Sequence, residues 1–251
     1  MFTVDERERV REALLEMARG DDRVVSGAEV GSGFQGGGDR WSDLDLTFGL
    51  REGASISNVL DEWTAHLSRR FGAVHLFDLP SLSSMYRVFL LPGCLQVDLS
   101  FTPQADFGAR GPQFKLLFGT TAELPFMRPP PAAYRFGLAV HHAVRARFCI
   151  ERGRLWQAEY WISAMRDEAF ALACAQMGLE SAYGRGYDQL PKEILDCLTG
   201  ALVSSLEHEE LLRALGCAVD GLLSVVGDSD ARADALAGEL LRLKGGELDQ
   251  T

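Results

Sequence analysis

The sequence predicts an α+β protein: a small mixed β-sheet unit over residues 1–131, followed by an all-α helical bundle over residues 132–251. Three observations predict it. Short runs with strand-like alternation, separated by two helical periods, fill the first hundred residues. A stretch rich in glycine and proline then runs from Thr102 to Pro131 and ends in Pro129-Pro130-Pro131, a candidate domain boundary. Beyond it glycine thins out, and alanine, leucine and arginine recur at helical spacing.

Taken in order, Thr3 with Glu6 forms a capping-box pattern, and Val10, Leu14 and Met17 continue a helix until Gly20. Arg23 to Val30 is short and partly apolar. Ser42 to Leu50 alternates as a strand does. Ile56 to Phe71, with Val59, Leu60, Trp63 and Leu67 on one face, reads as a helix closed by Gly72. Three extended runs follow, Ala73–Leu79, Met85–Leu91 and Cys94–Phe101; Pro92-Gly93 makes the last two an antiparallel hairpin. In the second half, Ala133–Ile150, Leu155–Met177, Lys192–Ser204, Glu207–Val226 and Ala231–Leu243 fit amphipathic helices. The terminal GGELDQT is expected to fray.

With 251 residues, 47% hydrophobic and 24% charged, the chain is long enough to bury one large core or two small ones. Its net charge of −11 repels nucleic acid and anionic lipid, so duplex nucleic acid is not an expected partner. Five scattered cysteines without a C-x-x-C pair read as buried reduced thiols. The charged N-terminus is unlike a signal peptide and no apolar run reaches bilayer length, so the expected location is the cytoplasm, with no membrane association. Oligomeric state is not legible.

The chemistry concentrates in VGSGFQGGGDRWSDLDLTFGL, Val30 to Leu50. Gly31-x-Gly33-x-x-Gly36 matches the dinucleotide fingerprint, but Gly37 and Gly38 follow where a helix should begin, and a strand comes next. That reading fails on context. In Ser42-Asp43-Leu44-Asp45-Leu46 the two aspartates project from one face of a strand and the leucines from the other. Paired carboxylates repel unless a cation intervenes, which invites a hard divalent ion with oxygen ligands, magnesium beside phosphates. Leu95 to Phe101 alternates strictly and places Gln96, Asp98 and Ser100 on one face. Asp98 is a candidate third ligand.

Gly31-Ser32, a spacer, Ser42-Asp43-Leu44-Asp45 and a later strand acid resemble the signature of the nucleotidyltransferase superfamily that includes DNA polymerase β. The likeness covers about the first hundred residues. The helical half resembles in layout the bundle of small-molecule nucleotidyltransferases that modify aminoglycosides and lincosamides. The resemblance implies a catalytic domain over 1–131 and a helical domain over 132–251 that contacts acceptor and nucleotide. It implies two magnesium ions about 3.5–4 Å apart on Asp43, Asp45 and Asp98. An acceptor hydroxyl would attack the α-phosphorus of ATP or another NTP, with Asp98 the first candidate for general base. Gly31, Ser32 and Ser42 would bind the nucleotide. The acceptor would be a small molecule, an antibiotic of the aminoglycoside or lincosamide kind, the latter two classes making antibiotic resistance the expected role. Adenylylation of a protein, or a catalytically silent module of the same fold, are the rivals.

Cations for the triphosphate are Arg40 in the loop and Arg152, Arg154, Arg166, Arg185 and Lys192 in the helical half. A contribution from the second half would put the site in an interdomain cleft. Lys192, after Pro191 at a helix start, is the nucleotide-binding candidate among them. Trp156 and Glu159 are candidates for stacking on and holding the acceptor. The plainer reading makes Trp156, Tyr160 and Trp161 core anchors. His141 and His142 are adjacent and cannot form an i, i+4 metal pair, and zinc is unsupported.

Overall fold

The computed structural model describes residues 1–31, 40–227 and 230–245. Two compact units divide them, Met1–Arg128 and Pro129–Thr251. The fold is α+β, a mixed six-stranded sheet with helices in the first unit and helices alone in the second.

The first unit opens with α1 (Val4–Gly20), whose start is held by the capping box: Thr3 Oγ1 accepts from the Glu6 N–H while the Glu6 carboxylate accepts from the Thr3 N–H at 2.7 Å. β1 (Val24–Val30) and β2 (Leu44–Leu50) follow, then α2 (Ile56–Phe71), which ends at Gly72 in the left-handed conformation (φ 66°) that favours glycine. β3 (Val74–Ser81), β4 (Ser84–Leu91), β5 (Leu95–Pro103) and β6 (Phe114–Phe118) complete the sheet in the order β3-β4-β5-β2-β1-β6. β2 and β5 pair in parallel and every other pair is antiparallel. The chain must therefore cross between β2 and β5, and it does so through α2 and the β3–β4 hairpin.

Alternation decides which side of β2 and β5 is apolar. Leu44, Leu46 and Phe48 of β2 and Val97, Leu99 and Phe101 of β5 join the core with Leu14 of α1 and Val59, Trp63 and Leu67 of α2. Phe48, Trp63 and Phe101 form its aromatic centre, with ring centroids 4.9–5.5 Å apart. The polar residues between them point to the other face.

The second unit comprises α3 (Ala132–Glu151), α4 (Leu155–Gln176), α5 (Lys192–Thr199), α6 (His208–Val226) and α7 (Ala233–Arg242). Alanines at 139, 143 and 146 of α3 and at 158, 169 and 173 of α4 are wholly buried, small enough for helices to approach closely. Arg147, 1% exposed, gives its guanidinium to the carbonyls of Leu243 and Gly245 and to Glu151, so the end of α7 is tied to α3.

Several sequence expectations need correction. β6 lies inside the segment read as linker; its five residues show no alternation, because it is an edge strand with Lys115 and Leu116 both exposed. β3 and β4 form a second hairpin, turned at Leu82 with φ 54°, where the sequence offers no glycine. α5 stops at Thr199, not Ser204. Cys149 and Cys174 are buried thiols, but Cys94 is exposed. Residues 246–251 of the expected frayed end lie outside the described residues. No described helix is long and apolar enough to cross a membrane.

Candidate active site

Asp43 immediately precedes β2, Asp45 lies in it, and Asp98 lies in β5. The parallel register places Asp45 directly beside Asp98. Side chains in register on neighbouring strands share a face, and strands run about 4.8 Å apart, so two carboxylates separated by 53 positions become neighbours. Asp43, two residues before Asp45, joins them from the strand end. One carboxylate oxygen from each of the three lies within 4.8 Å of the others.

The three environments differ. Asp43 is exposed, while Asp45 and Asp98 are half-buried. Burial pushes the Asp98 carboxyl above the usual carboxylate range; a hydrogen bond from Gln96 opposes the rise and the Asp43 charge adds to it. That bond runs from Gln96 Nε2 to Asp98 Oδ1 at 3.0 Å and fixes the carboxyl's orientation. The sequence had set Gln96 on this face without giving it a partner; a polar residue two before a strand acid was the available signal.

Gly31 closes the site from β1. Its φ is 69°, and a Cβ built on it would collide with Asp45 Oδ2. Glycine is needed there both for the backbone angle and for the close approach of carboxylate to main chain. The start of β2 is held by α1, whose Arg7 donates to the Ser42 carbonyl at 3.1 Å. Next to it, the Arg40 guanidinium lies 4.3 Å over the exposed Trp41 ring. Ser32, and the glycine spacer to Asp39, lie outside the described residues.

The remaining candidates belong to the second unit. Lys192 is 80% exposed in the first turn of α5 and its ammonium pairs with Asp196 on the same helix, 2.7 Å from Oδ1. Glu159 accepts the Ser163 hydroxyl at 2.7 Å. Trp156 and Tyr160 are exposed, not core anchors, because the buried side of α4 runs through Ala158, Ile162 and Met165 instead. Trp161 packs against the rings of His141 and His142. Among the described residues, Asp43, Asp45 and Asp98 form the one group of three or more metal-ligating side chains close enough to share an ion.

Compared with models of known protein families, the sequence matches none, and no curated protein matches it. Among solved structures it is similar to a crystal structure of an aminoglycoside 6-adenyltransferase from Bacillus subtilis. The two share 12% identity over 98% of this chain and 100% of that one, with a TM-score of 0.41.

Proposed function

We propose that this protein transfers a nucleoside monophosphate, AMP from ATP, to a hydroxyl of a small molecule, with a magnesium ion held by Asp43, Asp45 and Asp98. The observation that carries this reading is the meeting of three carboxylates within 4.8 Å on one sheet face. Such a group is costly to hold together without a cation. An all-oxygen donor set fits a hard ion; it lacks the sulfur and imidazole ligands that zinc prefers. Bound there, magnesium supplies charge neutralisation for a triphosphate and its leaving group.

The chain's own residues do the rest. Asp98, the carboxylate contributed by the neighbouring strand β5, is the candidate to take the proton of the acceptor hydroxyl. Gln96 holds that carboxyl in one orientation. Gly31, whose main chain lies against the Asp45 carboxylate, and Ser32 are the residues we assign to the β- and γ-phosphates. Ser42, just before β2, is the third residue we assign to the nucleotide. The acceptor oxygen bonds to the α-phosphorus, the bond from phosphorus to the bridging oxygen breaks, pyrophosphate leaves, and the hydroxyl proton goes to Asp98.

The test is incubation with labelled ATP, magnesium and a panel of hydroxylated small molecules, including aminoglycosides and lincosamides. Pyrophosphate release with transfer of label to one acceptor is the expected result. Label appearing on a protein band, or no metal-dependent binding of a non-hydrolysable ATP analogue, would overturn it.

A further inference from the structure

Alongside the three acids, the same sheet face carries a second feature that the proposed chemistry has not used. A cavity of about 210 Å³ lies over β1, β2, β4 and β5, walled by the segment 106–114. Its floor is a set of hydroxyls: Thr47 of β2, Thr102 of β5, and Ser84 and Tyr86 of β4. Thr47 follows Asp45 by two residues, so it sits on the same face about 7 Å further along the strand. Any ligand seated in the cavity is thus within one ring's width of the carboxylates.

The floor is built rather than incidental. Thr47 and Thr102 are 8% and 4% exposed, and Ser100, in register with Thr47 on the same face, 1%. Ser100 donates to Thr47 Oγ1 at 2.8 Å, which leaves Thr47's own proton for the cavity. Ser84 and Thr102 share a hydrogen bond of 2.6 Å. The wall is pinned: Phe107 is buried, its carbonyl accepts from Ala122, and its ring meets Phe114 at 5.8 Å. Arg110 is held through its carbonyl by Met127.

The charge of the lining selects among ligands. Among the described residues it contains one carboxylate, Asp106, and one guanidinium, Arg110, which balance in charge, together with the Gln113 amide. In the lining itself a polycation would find one acid offset by one cation. A purely apolar ligand would offer no partner to the polar groups that face the cavity, and covering such a group unpaired costs about 1–3 kcal/mol. The lining's lack of net positive charge also disfavours a phosphate. Hydroxyl, carboxylate, guanidinium and amide groups beside an aromatic face match a ring bearing several neutral hydroxyls. The volume of about 210 Å³ leaves room for one such ring.

From this we infer that the cavity is the acceptor subsite and that it takes a neutral polyhydroxylated ring, a saccharide or cyclitol unit, in preference to a polycationic one. The inference rests on the reading of Asp43, Asp45 and Asp98 as a nucleotidyl-transfer centre. One ring hydroxyl reaches the acids while the others exchange hydrogen bonds with Thr47, Tyr86, Asp106 and Arg110.

The experiment is saturation-transfer NMR on the full chain with magnesium and a non-hydrolysable ATP analogue. Methyl β-glucopyranoside and myo-inositol serve as neutral probes, 2-deoxystreptamine as the dicationic one. The neutral rings should bind, and Tyr86→Phe and Asp106→Asn should each weaken them about tenfold, one good polar contact apiece. Both variants should keep the wild-type melting temperature and bind the ATP analogue as before. Preference for the dication, no ring binding, or ring binding indifferent to both substitutions overturns the inference. Failure of the analogue to bind while the rings still bind would remove the transfer reading and leave a saccharide site.

Discussion

The two faces of the β2–β5 pair are made from the same two stretches of sequence, yet do opposite work. Leu44, Leu46, Phe48, Val97, Leu99 and Phe101 are all nearly or wholly buried in the core with α1 and α2. The residues interleaved with them are Asp45, Thr47, Asp98, Ser100 and Thr102. The apolar row is nearly insensitive to its neighbours' chemistry and asks only for volume. The polar row depends on register, because a slip of one residue would separate Asp45 from Asp98 and turn the acids toward the core. Packing on one face therefore fixes the geometry of the other.

Substitutions on the two faces should divide accordingly. Asp45→Asn should lower turnover about a thousandfold, roughly 4 kcal/mol at 1.36 kcal/mol per decade, with an unchanged melting temperature. If the variant unfolds or keeps full activity, the assigned role is wrong. Phe101→Ala should do the reverse, costing about 3–5 kcal/mol of stability in a denaturant titration through loss of the contacts to Phe48 and Trp63.

A smaller effect concerns the support beneath the apolar face. Asp21, at the end of α1, accepts from Arg23 and from the Trp63 indole N–H at 3.0 Å. Chiefly through the Arg23 guanidinium, its carboxyl is held down at about 2 from an ordinary value of 3.8. A depressed carboxyl stabilises the fold above the unfolded value, and the benefit disappears as pH falls from 3.8 through about 2. Asp21→Asn should thus cost about 2 kcal/mol at neutral pH, with the difference from wild type closing below pH 2 in urea titrations.

Gly31→Ala brings the two faces' logics together. The left-handed φ should cost about 1–2 kcal/mol, and the new methyl must displace the Asp45 carboxylate, so magnesium affinity measured by calorimetry should fall more than stability does. At the small end, Lys192→Ala removes an exposed pair and should change the melting free energy by less than about 0.5 kcal/mol. A large loss of ATP-analogue affinity in that variant would instead give Lys192 the nucleotide role that its sequence position predicts.

The elements of this fold were legible where their signal is local. The Thr3–Glu6 capping box, the αL glycine after Phe71 and the Pro92-Gly93 corner each act within a few residues, so spacing alone placed the helix ends and the β4–β5 hairpin. The Phe114–Phe118 strand escaped because an edge strand with both sides partly exposed has no alternation to read. Trp156 and Tyr160 misled for a related reason: aromatic residues resemble core until the helix's buried side is known.

Sequence by itself determined the α+β class, the polar and apolar rows of β2 and β5, and the placing of Asp43 and Asp45 together, since these follow from backbone periodicities of two and 3.6. Only tertiary structure decided that β5 lies parallel to β2 with Asp98 beside Asp45, and that the hydroxyls of β2, β4 and β5 share a walled cavity. Pairing between strands far apart in the chain is chosen by the packing of the whole core, and no local pattern encodes it.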